Sequence, residues 1–234
     1  MTLELQPDAT DAPWPIEATR RMNAMYRWQR HIYDGTRRYY LLGRDTMISE
    51  LRPVADETVL EIGCGTGRNL VKAAKQFPHA KFFGVDVSTE MLTTAISAIS
   101  RHGLQDRIRV AHGDATSFDP QALFGLASFD HVMISYSLSM IPAWREVLNA
   151  SATHLTPGGR LHVVDFGNQE RLPTWTRSLL TKWLELFDVT PRAGLERAMK
   201  DVAFNSDGEL SFSRPFRGYA QYGVLTSAAH ARST

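Results

Sequence analysis

Three glycines, Gly63, Gly65 and Gly67, form the pattern in this sequence whose residue types and spacing point most directly to chemistry. They follow the apolar run VLEI, which ends at Ile62. Glycine is used where a side chain would block a close approach to the backbone. Since a glycine loop between a strand and a helix is typical of a nucleoside or dinucleotide site, we expect a ligand to pass close to this loop.

The spacing of the glycines separates two classes of nucleotide site. The dinucleotide pattern GxGxxG, counted from Gly63, requires glycine at position 68, and that residue is Arg68. The observed pattern is G-x-G-x-G, with the acidic Glu61 before it. This spacing argues against a NAD-linked oxidoreductase.

Two further acids stand where strands are predicted to end. Asp86 closes the run KFFGVD about 20 residues after the loop, where a carboxylate accepts hydrogen bonds from ribose hydroxyls. Asp114, in the sequence GDA, follows the next run and is placed to accept from an adenine amino group. Each acid alone could simply cap the following helix. The glycine loop and both acids at three successive strand ends favour a nucleoside site.

The elements that must position these residues are visible as an alternation of short apolar runs and helical patterns after Pro53. The runs with strand character are TVLEIG, KFFGVDV, IRVAHGD, FDHVMISYS and GRLHVVDFG, followed by ELSFSRPF and YAQYGVLTS with no helix between the last two. Such alternation predicts an α/β fold with a Rossmann-like, mostly parallel sheet. The last two runs predict a C-terminal antiparallel hairpin at the sheet edge.

The whole chain, 1–234, is predicted to form one domain in three parts. Residues 1–15 contain three prolines and predict a flexible arm. Residues 16–52 predict a helical lid, because apolar and aromatic residues recur there at helical spacing and glycines at 35 and 43 break the pattern. Residues 55–227 form the predicted core.

Composition excludes several classes of function. The net charge of +1 does not favour nucleic-acid binding, and the eight histidines show no metal-ligand spacing, so we expect no nucleic acid and no metal. Cys64, the only cysteine, excludes an internal disulfide and indicates a small filler of the loop in a reducing compartment. No apolar run approaches the roughly 20 residues that span a bilayer. We therefore expect a cytoplasmic protein.

The motifs LEIGCGTG, GVDVS, HGDA and LTPGGRL resemble those of class I S-adenosylmethionine-dependent methyltransferases, over roughly residues 55–227. The resemblance implies a seven-stranded sheet, S-adenosyl-L-methionine as cofactor, and methyl transfer as the activity. It also implies the residues that bind the cofactor, which are Glu61, Gly63, Gly65, Gly67, Asp86, Val87, Met91, Asp114, Ala115, Ser135 and the lid residue Tyr33.

Two other stretches resemble one particular family within this class of methyltransferases. YRWQRHIYD and YYLLGRD, within residues 23–45, and SYSLSMIPAW, at residues 135–144, resemble the N-methyltransferase of betaine-lipid synthesis. That family trimethylates the amine of diacylglycerylhomoserine. The resemblance implies a lipid or small-molecule amine as acceptor. The alternatives are a phospholipid N-methyltransferase, a quinone or other small-molecule methyltransferase, and a non-catalytic S-adenosylmethionine-binding module; the oligomeric state stays open.

Methylation of an amine requires a neutral nucleophile, although a free alkyl ammonium has a pKa of about 10. Tyr136, after the fourth run, and Asp165, in the fifth, are the candidates for accepting that proton, since both fall at the carboxyl end of the predicted sheet. Tyr33 is a candidate lid hydroxyl that reaches the cofactor carboxylate. Its equally weighted alternative is a packed aromatic residue on the apolar face of the helix.

Two segments are predicted to contact the inner face of the membrane. The first is the arginine-rich and aromatic helix of the lid. The second is TWTRSLLTKWLELF, after Pro173, which places tryptophan and leucine on one helical face. The alternative for the second segment is that this face packs on the protein's own sheet or lines the acceptor pocket.

Overall fold

The computed structural model describes residues 41–173, 180, 184 and 189–229. Residues 1–40, which hold Tyr33 and most of the predicted lid, lie outside the described residues. The second predicted membrane segment, after Pro173, also lies outside them except at Leu180 and Leu184.

Seven strands, six helices and one further helical turn at Pro215–Gly218 are seen in the described residues. The strands are β1 (Thr58–Ile62), β2 (Lys81–Asp86), β3 (Ile108–His112), β4 (Phe129–Ser135), β5 (Leu155–Phe166), β6 (Glu209–Ser213) and β7 (Ala220–Thr226). The helices are α1 (Arg44–Leu51), α2 (Arg68–Gln76), α3 (Thr89–Arg101), α4 (Pro120–Phe124), α5 (Trp144–Thr153) and α6 (Leu195–Asn205). A short 3-10 helix spans Leu138–Met140 after β4.

The strands form one sheet in the order β3-β2-β1-β4-β5-β7-β6. Strands β1 to β5 are parallel, β7 is antiparallel to β5, and β6 is antiparallel to β7. The predicted fold class, including the C-terminal antiparallel hairpin, is confirmed. Because β6 opposes β7, it runs in the same direction as β1 to β5. The carboxyl ends of the first five strands therefore meet at one edge of the sheet, as a right-handed α/β topology requires.

Each strand sends alternate side chains to opposite faces of the sheet, so the core divides in two. On β1, Val59 belongs to the apolar cluster beneath α1, α2 and α3, whereas Leu60 belongs to the cluster beneath α4, α5 and α6. Both residues are fully buried. Burying a side chain of this size stabilises the fold by about 1.5–3 kcal/mol. The two packed faces hold the carboxyl edge, and the loops on it, in a fixed position.

Helix α1 differs from the prediction that residues 16–52 form a lid. The helix begins after Gly43, whose φ of 87° is left-handed, and its residues Met47, Ile48 and Leu51 are fully buried in the first cluster. Residues 44–51 are therefore part of the core and not of a movable cover. The prediction could not separate these cases, because an apolar stripe at helical spacing is the same whether it covers a ligand or a sheet.

Within the described ranges, no helix is both long and apolar enough to cross a membrane.

Candidate active site

The candidate site lies at the carboxyl edge of the sheet, where parallel α/β proteins bind ligands. The loop after β1 carries the three glycines, and β2 ends in Asp86. The turn after β3 carries Asp114, and β4 ends in Ser135. The register of neighbouring strands places Ile62 beside Val85 and Ile134. The structure thus brings the predicted cofactor residues of four separate loops to one place.

The glycine loop is left-handed at all three glycines, with φ of 70° at Gly63, 53° at Gly65 and 70° at Gly67. A Cβ on Gly63 would lie 2.7 Å from Cβ of Ser137, and one on Gly67 would lie 3.0 Å from Cβ of Ala95. From the sequence, glycine was expected at these positions because a ligand approaches the backbone closely. At positions 63 and 67 that explanation is incomplete, because the backbone angle and neighbouring protein atoms already require glycine.

Backbone hydrogen bonds attach the glycine loop to β2. The amides of Gly63 and Cys64 donate to the carbonyl of Val85 at 2.9 and 3.0 Å. The side chain of Cys64 is buried and packs against Gly84, where an added Cβ would lie 2.9 Å from its Sγ. Burial, reinforced by the charges of Asp86 and Glu61, raises the pKa of the Cys64 thiol well above its ordinary value. The thiol is therefore neutral, in agreement with its interpretation as a filler.

Asp86 connects the glycine loop to the start of α3. Its Oδ2 accepts from the amide of Gly65 at 2.7 Å, and its Oδ1 accepts from the amide of Ser88 at 2.9 Å. Ser88 caps α3, since its Oγ accepts from the amide of Met91 at 3.3 Å. A carboxylate offers about four acceptor positions, so these two bonds are compatible with the predicted role of Asp86 in binding the ribose. Val87 is half-buried beside it, and Met91 is buried.

Glu61 lies beneath the loop and is bound by a residue that the sequence analysis missed. Its Oε1 accepts from Nδ2 of Asn69 at 2.7 Å, and only 1% of the residue is exposed. Asn69 is the second residue of α2. Its position two residues after the third glycine is the signal that could have identified it, because the start of this helix must face the loop.

Asp114 does not cap α4, the helix that follows it, as the alternative to a binding role predicted, because Asp119 is the cap of that helix. Its Oδ1 accepts from both the amide and the hydroxyl of Thr116, each at 2.9 Å. This closes a turn after β3, as aspartate commonly does. The neighbouring Ala115 is half-buried against the second apolar cluster. Closing this turn does not exclude contact with an adenine, so the predicted binding role stays a prediction.

The last residue of β4 and the two residues that follow it shape the next part of the site. The Oγ of Ser135 is buried with no hydrogen-bond partner among the described residues. Ser137 donates from its Oγ to the carbonyl of Ile62 at 3.2 Å, which packs this loop against the glycine loop. Tyr136, between them, has a left-handed φ of 57°. Such angles are uncommon outside glycine and concentrate at functional sites.

The hydroxyl of Tyr136 donates to the carbonyl of Leu42, and only 2% of the residue is exposed. Its ring packs edge to face on Phe166, with 4.6 Å between centroids. Burial raises the pKa of Tyr136 well above its ordinary value. The phenol is therefore neutral and already engaged. This geometry argues against Tyr136 as a proton acceptor and makes it the anchor of the chain before α1.

Asp165 is fully buried on the sheet face that packs against α5 and α6. Its Oδ2 accepts from the amide of Ser139 at 3.0 Å, and its Oδ1 accepts from the amide of Phe166 at 2.7 Å. The bond from Ser139 to Oδ2 thus holds the segment after β4 in place, whereas the bond to Oδ1 lies within β5. The geometry argues against Asp165 as the group that receives a proton from an acceptor and indicates a positioning role.

Arg192 and Gln221 complete this arrangement, and the sequence analysis missed both. The guanidinium of Arg192 donates to the carbonyls of Leu138 at 3.0 Å, Ser139 at 3.3 Å and Ile141 at 2.9 Å. The carbonyl of Arg192 in turn accepts from Nε2 of Gln221 at 3.0 Å. Residues 138–141 are therefore fixed from both sides by buried or half-buried polar groups. We call residues 138–141 the clamped loop.

The buried carboxyl of Asp165 predicts a pH dependence of stability. Burial raises the pKa of Asp165 from 3.8 to about 6. A carboxyl whose pKa is raised by folding contributes stability that is complete below its unfolded pKa and lost as pH rises through the folded value. We expect the Asp165→Asn variant, which cannot ionise, to gain stability relative to the wild type between about pH 4 and pH 7, by about 3 kcal/mol. Urea unfolding across this window measures the difference, and a difference independent of pH would contradict the prediction.

Comparisons with known proteins agree with this geometry. Residues 59–159 match a family described as a methyltransferase domain, Methyltransf_25. This match covers less than half of the chain, and the sheet has the Rossmann-like methyltransferase fold. The match covers the glycine loop, both acids and the whole segment from β4 to the middle of β5.

Relatives of this methyltransferase domain differ in what their names state. A demethylmenaquinone methyltransferase of Listeria monocytogenes serotype 4a is 26% identical over 156 residues, which cover 66% of this chain and 60% of the relative. The structure of SibL, an S-adenosylmethionine-dependent methyltransferase, has a TM-score of 0.68 at 19% identity and covers 91% of this chain and 62% of that one. Phosphoethanolamine N-methyltransferase 2 of Haemonchus contortus, solved with S-adenosyl-L-methionine, has a TM-score of 0.59 at 17% identity and covers 80% and 52%. The chain spans no more than three fifths of the curated Listeria relative, and the likeness to the solved structures shows the fold.

The residues of the methyltransferase domain fit the cofactor that its fold implies. The Oγ of Ser135 is buried at the carboxyl edge without a partner among the described residues, and the glycine loop is held open by left-handed backbone. Asp86 lies beside the loop and binds the amide of Gly65 within it. These groups match a ligand that carries hydroxyls and a polar amino-acid end.

Proposed function

We propose that the protein transfers methyl groups from S-adenosylmethionine to the amine of a homoserine-type betaine-lipid precursor, three times in succession. The observation that carries the proposal is the position of the segment SYSLSMIP, residues 135–142. Its sequence resembles the betaine-lipid N-methyltransferases, and Ser137 within it packs directly on the glycine loop. The part of the sequence that carries the specific resemblance thus lies beside the cofactor residues.

Different residues of the described chain would bind different parts of the methyl donor, S-adenosylmethionine. Asp86 is placed to accept from the ribose, Asp114 with Ala115 to meet the adenine, and the glycine loop to pass under the methionine part. S-adenosylmethionine supplies an electrophilic methyl on a sulfonium, which is transferred by in-line displacement. The protein contributes mainly alignment, and holding two reactants in contact supplies several kcal/mol of barrier reduction.

The state of the two candidate bases favours an amine over a carbon nucleophile. Tyr136 is a neutral, engaged phenol, and both oxygens of Asp165 accept from backbone amides. An amine that enters in its neutral form needs no base at the moment of transfer, and a dry site lowers the pKa of the bound ammonium. The ammonium formed by each of the first two transfers then releases its proton to water before the next transfer. Ring methylation of a quinol needs a proton removed from the ring system, for which neither residue is placed.

A quinone-type C-methyltransferase is the second candidate. The names of the curated relatives favour it, since the matched Listeria protein is a demethylmenaquinone methyltransferase. An identity of 26% over part of the relative does not identify the acceptor, which requires an experiment. The two candidates differ in the acceptor molecule and in the atom that receives the methyl, which is nitrogen in one and carbon in the other.

One assay separates these acceptors. The purified full chain is incubated with labelled S-adenosylmethionine and vesicles that contain diacylglycerylhomoserine, phosphatidylethanolamine or a demethylmenaquinol. We expect mass spectrometry to find one, two and three added methyl groups on the homoserine amine. Label found only on the quinol ring, or only on phosphatidylethanolamine, would overturn the proposal. Binding of S-adenosylhomocysteine without any product would instead indicate a non-catalytic binding module.

A further inference from the structure

The pairing of β5 with β7 continues beyond the carboxyl edge of the sheet. The amide of Gly167 donates to the carbonyl of Tyr219 at 2.8 Å, that of Gln169 to Gly218 at 2.8 Å, and that of Arg171 to the carbonyl of Arg217 at 3.2 Å. Residues 167–171 and 215–219 are thereby joined into one hydrogen-bonded projection, which we call the ledge.

The ledge holds an unusual concentration of left-handed backbone. Gln169, Phe216 and Arg217 have φ of 56°, 54° and 58°, and they are three of the seven non-glycine residues with positive φ in the described chain. Gly218 follows with φ of 80°. Non-glycine residues adopt this conformation at an energetic cost, and such outliers collect at ligand clamps and other functional sites. The backbone bonds to 167–171 are what maintain it here.

The ledge carries one exposed apolar side chain, that of Phe216, and a second lies on a neighbouring segment. Phe216 is 47% exposed, and it lies next to the segment before α1, since a Cβ on Gly43 would be 3.5 Å from its Cε2. Leu42, on that segment, is 36% exposed. Only four large hydrophobic residues of the described chain are exposed, and two of them therefore lie together at this position.

Positive charge accompanies the apolar side chains. Arg171 and Arg217 are exposed, adjacent through their backbone bond, and not in an ion pair with any described residue. Arg214 is different, because it pairs with Glu196 at 2.8 Å and approaches Glu170 at 3.8 Å. Arg171 and Arg217 consequently give the ledge a surplus of positive charge.

The ledge also lies beside the site. It begins directly after Phe166, the last residue of β5, and the ring of Tyr219 packs on that of Phe166 with 6.0 Å between centroids. Phe166 in turn packs on Tyr136, within the segment that carries the acceptor resemblance. A surface bound to the ledge would therefore be close to where an acceptor must enter.

We propose that the ledge docks the protein onto a bilayer with anionic headgroups, with Phe216 entering the interfacial region and Arg171 and Arg217 meeting headgroup phosphates. Aromatic residues favour the level of the headgroups, and basic residues are attracted to anionic leaflets. The use of docking for catalysis rests on the proposed lipid acceptor, whereas binding of the ledge to vesicles does not depend on the acceptor. The ledge is distinct from the two segments that the sequence predicted to touch the membrane.

Flotation of the full chain with vesicles of phosphatidylcholine alone, or mixed with phosphatidylglycerol, tests this proposal. The variants are Phe216→Asn, which suits a left-handed backbone, and the charge reversal R171E/R217E. Phe204→Asn and R101E are the matched controls, because Phe204 is 82% exposed at the end of α6 and Arg101 is exposed at the end of α3. Calorimetric titration of each variant with S-adenosylhomocysteine verifies that the fold is intact.

We expect wild type and both controls to float with anionic vesicles, and both ledge variants to bind them about tenfold more weakly. High salt should weaken vesicle binding by the wild type towards that of the charge-reversed variant, because screening shortens to about 3 Å at 1 M.

Ledge variants that float as well as wild type, or a wild type that binds neither vesicle, would overturn the proposal, and the second result would favour a protein partner. Vesicle binding lost in the ledge variants without any lipid amine methylated would retain the ledge and reject the proposed function. Amine methylation with unaltered vesicle binding in the ledge variants would retain the proposed function and reject the ledge.

Discussion

The Asp86→Ala variant is expected to bind S-adenosylhomocysteine at least about 100-fold more weakly than the wild type. Charge-assisted hydrogen bonds are worth roughly 1.5–3 kcal/mol each, and two to the ribose account for such a loss, since about 1.4 kcal/mol is tenfold in affinity. The structure adds a second reason. The same carboxylate holds the amides of Gly65 and Ser88 at 2.7 and 2.9 Å, so its removal also loosens the glycine loop.

A matched control separates these effects from general destabilisation. Asp119 likewise accepts from two backbone amides, those of Gln121 and Ala122, but it caps α4 away from the glycine loop. Asp119→Ala should lower the melting temperature while leaving the affinity for S-adenosylhomocysteine within about threefold of wild type. Calorimetry on both folded variants makes the comparison. Equal affinity in Asp86→Ala and wild type would remove Asp86 from the cofactor site.

The sheet and the cofactor loops were predictable from sequence because both rest on local rules. Short β-branched runs that alternate with helices determine a parallel sheet, and a parallel sheet brings its carboxyl ends to one edge. Asp86 and Asp114 could therefore be assigned to a common site before their positions were known. The same rules could not tell that Asp114 also closes a turn on Thr116, because turn closure and ligand binding use the same side chain.

What the sequence did not reveal depends on tertiary contacts. Helix α1 was grouped with the lid because its apolar stripe has the same spacing in either role, and only packing on the sheet distinguishes them. Tyr136 and Asp165 were correctly expected at the carboxyl end, yet their engagement with Leu42 and Ser139 depends on how distant segments pack. Their chemistry changes with those contacts, since a buried and engaged group is a poor proton acceptor.

The role of Arg192 could not be predicted from the sequence for a further reason. It donates to backbone carbonyls 51 to 54 residues earlier in the chain, and a carbonyl acceptor leaves no pattern in the sequence. Asp165 similarly binds the clamped loop through the amide of Ser139. Residues that position a loop through its backbone can be found only once the fold is known, although they control the loop that carries the acceptor resemblance.

Replacing Arg192 by methionine is therefore expected to impair use of the acceptor far more than binding of the cofactor. The variant loses three charged hydrogen bonds to the clamped loop, and misplacing a reactant by about 1 Å costs on the order of 100-fold in rate. We expect kcat/KM for the acceptor to fall by about that factor, while the affinity for S-adenosylhomocysteine changes less than about threefold. Arg192→Lys should recover part of the activity, since it restores charge and one donor without the planar fork.

The control is another arginine that binds backbone carbonyls. Arg109, on the edge strand β3, donates to the carbonyls of Phe124 at 3.0 Å and Leu123 at 3.2 Å, and so clamps the end of α4 at the opposite side of the sheet. Arg109→Met should lose stability without loss of acceptor kinetics. Steady-state kinetics with the acceptor varied at saturating S-adenosylmethionine, alongside calorimetry, distinguishes the two variants. If both lower acceptor kcat/KM equally, or if Arg192→Met weakens the cofactor as much as the acceptor, the clamp acts through stability alone and does not position the acceptor loop.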